Sequence, residues 1–487
     1  MEETGVDDHK RFKKELKPPL STIPNMAHSS WIHERLPDML WAVLIVGNLE
    51  RENALDFFRY VGKYIEKHKE FAVITLTGIS NQDEQQIREF IRYLLRYSDD
   101  IKDILRPLIL YPKLPALKIW KEFLDKPIPE EDWGKVSKGI LETFDHQSEK
   151  ATDCRWIKLL CFMIGGKLKF NLEQKEKVKT IFEYPKRGNL REVRPSIRAL
   201  EIGMAVIKNS SSSWNNDFWD YNYNSVACMP EESITNNLKG KEEKLNNEIK
   251  NQKEYYLREI KKVRDKLVYH FFNSSKTTQI DSRVENSFGL SLYGLALMTE
   301  IIVYCVSSSV IGRIALRALI ENYISFKYLL KKEKDENVWD DFHSYGRGQI
   351  KLIYLKLKEL SNQNKCVNLD KLKAIANEDR WIEFVPINLG HWGNTNLRKM
   401  AEFAGVKEVY DMYYNYTSGF VHGTGGAIRE SIYQQCLNPL HRFHRIPSFC
   451  HPLMESVLED SVKIVNEILD CLNEAYPSFT ERINLCS

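Results

Sequence analysis

The stretch VIGRIALRALIENYISFKYLLKK, residues 310–332, constrains this chain more than any other. Its apolar residues recur at helical spacing, and Ile311, Ile314, Ala315, Ala318, Leu319 and Ile320 cover most of the surface of one long helix. A helix this apolar is largely buried, so the chain around it must supply several further helices as cover. One polar stripe crosses it. Arg313, Arg317 and Glu321 are spaced by four and stack on one face. A guanidinium in such surroundings needs an acceptor. Arg317 and Glu321 can serve one another, which is a purely structural role. The alternative is that the stripe faces a cleft and meets His422 from a later helix.

The rest of the chain offers the required helices. Apolar steps of three and four residues mark 36–46, 53–68, 83–97, 114–124, 130–144, 151–165, 171–184 and 194–207. FAVITLTGI (71–79) is strand-like, but no second run of that kind offers it a partner. The 487 residues suffice for two or three domains. The expected fold is therefore all-α. A loose arm (1–29) precedes a helical N-terminal domain (30–208), for which stacked helix pairs are one arrangement. NSSSSWNNDFWDYNYNSVA introduces a polar stretch, 209–240, that reads as a flexible linker. Its aromatic rings could also anchor on a partner or stack on bases, although no Lys or Arg lies among them. Residues 241–487 then read as a bundle of six or seven helices. In its first long helix Leu245, Ile249, Tyr256, Ile260, Val263 and Leu267 form a seam suited to packing in the bundle or against a second copy.

Composition narrows the class. With 43% hydrophobic and 28% charged residues the chain reads as a soluble globular protein. A net charge of +3 provides no overall field for nucleic acid or an anionic membrane. The longest apolar run, 288–312, is broken by Glu300 and three serines, so a buried helix pair explains it better than a membrane span. No apolar signal-peptide core occurs in the first thirty residues. The nine cysteines are dispersed without a Cys-x-x-Cys pair, which indicates reduced thiols and a cytoplasmic location.

Three constellations could carry chemistry. VRDKLVYH places Arg264 and His270 near a helix end with five residues between them. That spacing resembles the signature of HEPN domains, helical bundles that often cut RNA without metal at a site shared by two copies. Cleavage by the RNA's own 2′-hydroxyl needs a proton acceptor and a cation for the phosphorane, roles suited to His and Arg. About two matches to the spacing are expected by chance in a chain of this composition. The second, Arg445 to His451, spans Pro447 and is not helical. The competing role for His270 is to close an apolar face.

The second constellation is YDMYYNYTSGFVHGTGGAIRE, a helix ending at His422 and followed by Gly423, Gly425 and Gly426. Without a preceding strand or a Gly-Lys-Ser/Thr, this is no phosphate-cradling loop. GRIALRALIENYISFKYLL together with WGNTNLRKMAEFAGVKEVYDMYYNYTSGFVHG resembles a bacterial all-helical family of unknown function over about 250–475. Its Arg-x-x-x-Glu element is matched by Arg317 and Glu321, and its Ser-x-x-x-His by Ser418 and His422. Asn415 stands where a HEPN arginine would precede His422. The resemblance implies a fold but no reaction, and associates such domains with antiviral or toxin-like loci. The third constellation, HRFHRIPSFCH, carries His441, His444, Cys450 and His451 at no known finger spacing. A basic loop packed on the last helix is the expected role.

These observations predict a HEPN-like bundle acting as a metal-independent endoribonuclease in a bacterial defence or toxin system. Arg264, His270, Arg317, Glu321 and His422 are the candidate catalytic residues, with no cofactor and no metal. RNA, a second copy, and a protein bound through the N-terminal domain are the expected partners. The rival function is a non-catalytic interaction or sensor protein.

Overall fold

Helix ends fall where side chains can satisfy orphan backbone groups. Asp83 and Gln86 form a capping box at the start of Glu84–Leu95, and Ser98, Ser148, Asp281 and Ser309 cap later helices. The computed structural model describes residues 10–12, 15–17, 30–168, 175–207, 213–231, 242–274, 281–334, 337–360, 366–377, 395–448 and 454–486. Among these, helix dominates and strands are confined to four three-residue segments, so the fold is all-α as the periodicity requires. Of the expected loose arm, Lys10–Phe12 and Glu15–Lys17 pair as antiparallel strands; the remainder lies outside the described residues.

The chain forms two units. The first comprises 1–231 together with 435–444, and the second 232–434 together with 445–487. In the first unit Leu40–Asn48 (LWAVLIVGN) is buried on every side, with only Asn48 reaching partial exposure. Helices Asp99–Leu105, Pro129–Thr143 and Glu149–Ile164 enclose it. The unit is therefore a cluster around one central helix rather than a row of stacked pairs. Two glycines set the closest crossing. A Cβ on Gly47 would lie 2.5 Å from Gly139 Cα, and one on Gly139 would lie 2.9 Å from the Val43 carbonyl oxygen.

Charge is buried at one node. Glu201 is fully enclosed and accepts from Arg35 and, at 2.6 Å, from Lys158; Arg155 Nε lies 3.8 Å away. Arg35 and Arg155 also sit over the Trp31 ring, at 5.9 and 4.9 Å. Burial pushes the Glu201 carboxyl up, but Lys158, Arg35 and Arg155 more than offset this and hold it below its ordinary value.

The stretch 209–240, read above as a linker, contains a helix of the first unit, Ser213–Ser225. Trp214, Phe218 and Trp219 are buried in the core. Trp214 Nε1 donates to the Pro37 carbonyl at 3.0 Å, and the Tyr111 hydroxyl donates to Asn222 at 2.8 Å. The Ser and Asn content suggested a loop, but aromatic burial at positions four apart outweighs weak helix propensity. These buried rings are not available for base stacking.

In the second unit Tyr256, Ile260, Val263 and Leu267 of the seam pack inside the bundle, against Ser282–Val303. Leu245 and Ile249 lie outside the residues whose side chains are described. Ser282–Val303 is long and apolar enough to cross a membrane by composition alone, yet Phe288, Leu295, Met298 and Ile301 are buried in the bundle core. Val310–Lys332 is the central element. It packs on Ser282–Val303, Leu397–Ala404, Asn415–His422 and Leu458–Ala475.

Two outcomes follow for stability. Gly139→Ala forces the crossing of 40–48 and 129–143 apart and is expected to cost about 1–3 kcal/mol, read as a lowered denaturant midpoint. Glu201→Gln leaves three cations without their carboxylate and is expected to destabilise by about 3–5 kcal/mol. Because the folded carboxyl titrates below the unfolded value of about 4.3, its contribution is complete above that pH and is lost as pH falls further. Wild-type stability should drop steeply there, and the Gln variant should lack that part of the acid slope.

Candidate functional site

The polar stripe of Val310–Lys332 lies against Asn415–His422 and the π-helical turn Tyr410–Tyr414 that precedes it. Arg313 is almost wholly buried. It donates to the carbonyls of Ser309 (3.3 Å) and Glu455 (2.8 Å) and through Nε to the Tyr416 hydroxyl at 3.2 Å. Tyr416 in turn donates to Glu430 at 2.5 Å, so a carboxylate compensates the arginine one step removed. The guanidinium also sits 5.5 Å from the Phe420 ring centre. Burial, with the Glu430 bond, raises the Tyr416 pKa, keeping its hydroxyl protonated as the relay requires.

One turn along, Arg317 Nε donates to Glu321 at 2.9 Å, and Nη2 donates to the Tyr414 hydroxyl at 2.8 Å. Its guanidinium stacks 4.5 Å from the Tyr414 ring centre. Arg317 is 12% exposed and Glu321 43%, so the pair lies at the rim of the seam. Arg317 Nη1 is buried and has no acceptor among the described residues. The mutual role expected for Arg317 and Glu321 is present. The stripe meets Tyr414 and Tyr416, however, and not His422.

His422 is fixed by backbone rather than by side-chain partners. Gly423 adopts a left-handed conformation (φ 58°) and ends the helix, and Thr424 donates back to the Gly419 carbonyl at 3.0 Å. A Cβ on Gly419 would stand 2.9 Å from Thr424 Oγ1, so a larger residue there requires that hydroxyl to turn away. His422 is thereby left exposed, with no hydrogen bond among the described residues. Phe420, Ala427 and Met454 form a small apolar cluster beneath, against Val310 and Ile314.

Arg264 and His270 do not join this site or each other. Six residues turn a helix by roughly 240° net, which places them on different faces. Arg264 is 54% exposed beside Asp265 at 3.5 Å. His270 packs on Phe288 and Phe479, with Nε2 3.1 Å from the Tyr476 carbonyl oxygen. It lines a cavity of about 850 Å³ with Lys266, Asp281 and Glu481. His270 thus lies near the start of Ser282–Val303, whereas His422 lies at the end where Val310–Lys332 begins. Some 20 Å of helix separates these levels. The expected set resolves into two places.

The basic loop also departs from expectation. Residues 441–444 belong to the first unit, where His441 and His444 turn toward Cys228 and Cys436, and do not pack on the last helix. Cys450 and His451 lie outside the described residues. Sequence reading missed Tyr414, Tyr416 and Glu430, although Tyr410, Tyr413, Tyr414 and Tyr416 in seven residues were a visible aromatic signal.

A family model described as a family of unknown function (DUF5677) matches residues 288–435. This supports a C-terminal domain of unknown function, and the match includes Arg317, Glu321, Ser418 and His422 but neither Arg264 nor His270. No curated protein and no solved structure matches the chain.

Replacing Arg313 by Ala empties a buried, fully bonded position and is expected to cost about 3 kcal/mol or more. Glu321→Ala, at the half-exposed end of the stripe, should cost no more than about 1 kcal/mol. Chemical unfolding of both variants compares the two ends of one helix face directly.

Proposed function

We propose that the second unit cleaves RNA without metal at a site on His422 and Arg317, completed by a second copy of the chain. The observation that carries this reading is the exposed, unengaged His422 at a glycine-terminated helix end, beside a seam that holds two arginines. His422 accepts the 2′-hydroxyl proton as that oxygen attacks phosphorus. The 5′-oxygen departs, taking a proton from the imidazolium or from His422 of the other copy, and a 2′,3′-cyclic phosphate remains. Arg317, 12% exposed at the rim of the seam, is the cation assigned to the phosphorane charge. Exposed Met412, Tyr416, Val421, Ile428 and Ile432 near His422 supply apolar area for self-association. The placement within the matched segment favours this site over Arg264 and His270. A bacterial defence or toxin role fits such an activity and rests on the resemblance alone.

A second reading is a non-catalytic interaction or sensor protein. It is favoured by the bonds that already occupy Arg317 and by the separation of Arg264 from His270.

Purified full chain, incubated with total RNA in EDTA and checked for folding by circular dichroism, is expected to leave 2′,3′-cyclic phosphate ends. His422→Ala should lower the rate by about 10²-fold or more, and His270→Ala should leave it close to wild type. Cleavage that survives His422→Ala with the fold intact removes this site. No cleavage by the wild type, with or without a divalent ion, leaves the interaction reading.

A further inference from the structure

The first unit gathers four metal-ligand side chains that no sequence spacing announces. Cys228 follows the helix Ser213–Ser225, while Cys436, His441 and His444 come from the ten-residue segment 435–444. Their ligand atoms all lie within 4.8 Å of one another. Cys228 Sγ is 3.4 Å from His441 Nδ1 and 3.3 Å from His444 Nε2, and Cys436 Sγ is 3.6 Å from His441 Nδ1. A tetrahedral zinc ion with Zn–S of about 2.3 Å and Zn–N of about 2.0–2.1 Å requires sulfur–nitrogen edges of about 3.5 Å. These three sulfur–nitrogen separations match those edges.

We propose that Cys228, Cys436, His441 and His444 bind a zinc ion that fastens the 435–444 segment to the first unit. Surrounding contacts orient the ligands for this role. His441 Nε2 lies 3.1 Å from the Val226 carbonyl, which takes its proton and leaves the Nδ1 lone pair facing both sulfurs. The Met229 amide donates to Cys436 Sγ at 3.5 Å, as it would to a thiolate. The Cys436 amide donates to the His444 carbonyl at 2.9 Å, tying the first and last ligands of the segment together. Between the histidines, Arg442 and Phe443 both adopt positive φ, 54° and 50°, a conformation that residues with a Cβ rarely hold unless their surroundings fix it. Arg442 lies 4.8 Å from the Trp219 ring centre and Phe443 meets Phe144 edge to face at 4.6 Å, so the strained turn is held on both sides.

Two soft thiolates and two imidazoles in a tetrahedron select zinc over magnesium or calcium. Four protein ligands close the coordination shell, and Cys436 and His441 are buried, which makes the site structural rather than catalytic. Binding releases one proton from each thiol. The ion closes a loop of more than two hundred residues between Cys228 and Cys436, where a cross-link restricts the unfolded chain strongly.

The test uses untagged full chain purified without chelator. Elemental analysis is expected to find about one zinc per chain. After replacement of the metal by cobalt(II), intense visible d–d bands and a near-ultraviolet thiolate charge-transfer band should report a tetrahedral sulfur-containing site. Cys228→Ser, at the exposed edge of the cluster, should lower zinc content and weaken the charge-transfer band while circular dichroism stays helical. His444→Ala should likewise reduce metal content. Zinc absent from the wild type with only weak octahedral cobalt absorption overturns the proposal. So does zinc retained in a Cys228→Ser/His444→Ala double variant, or a Cys228–Cys436 disulfide found by mass spectrometry in protein kept under reducing conditions.

Discussion

The close approach of Gly47 to Gly139 is the constraint on which the first unit depends. A helix as apolar as Leu40–Asn48 has no solvent face to give up, so every neighbour must come close enough to exclude water. Helices bearing ordinary side chains cross at about 8–10 Å. The paired glycines permit a tighter crossing, and the rest of the unit is arranged around the central rod that results. The charged node at Glu201 is enclosed within the same unit. It tolerates burial only because three cations share one carboxylate.

The second unit answers a different problem, the burial of a guanidinium. Arg313 reaches its carboxylate only through the Tyr416 hydroxyl, and a phenylalanine ring covers its face. Such a relay fixes the approach of Asn415–His422 to Val310–Lys332 more narrowly than apolar packing would, because directional bonds fail when a helix slides by one turn. The position of His422 is therefore a by-product of how Arg313 is satisfied. A surface group is placed by a buried one.

Much of this was legible in the sequence, and the limits have physical causes. Helical periodicity located the helices Arg51–Lys67, Glu84–Leu95 and Val310–Lys332 because one face of each is buried. The i, i+4 pairing of Arg317 and Glu321 was readable because it is local. The helix Ser213–Ser225 was obscured by residues that favour turns when exposed. The separation of Arg264 from His270 was hidden by reading a spacing without its angle. Tyr416 as the arginine's partner, and Cys228 and Cys436 as neighbours of His441, depend on contacts between distant segments. No local pattern encodes those contacts.

The return of residues 435–444 to the first unit has a consequence for synthesis. At about 5–20 residues per second, the ribosome takes roughly 10–40 s to pass from Glu231 to Gln435. Throughout that interval the first unit stands without the segment that carries three of its four metal-ligand side chains, and Cys228 waits without them. Closure of that cluster on the ribosome thus waits until most of the second unit has been synthesised. Maturation of the amino-terminal half is timed by translation of the carboxy-terminal half.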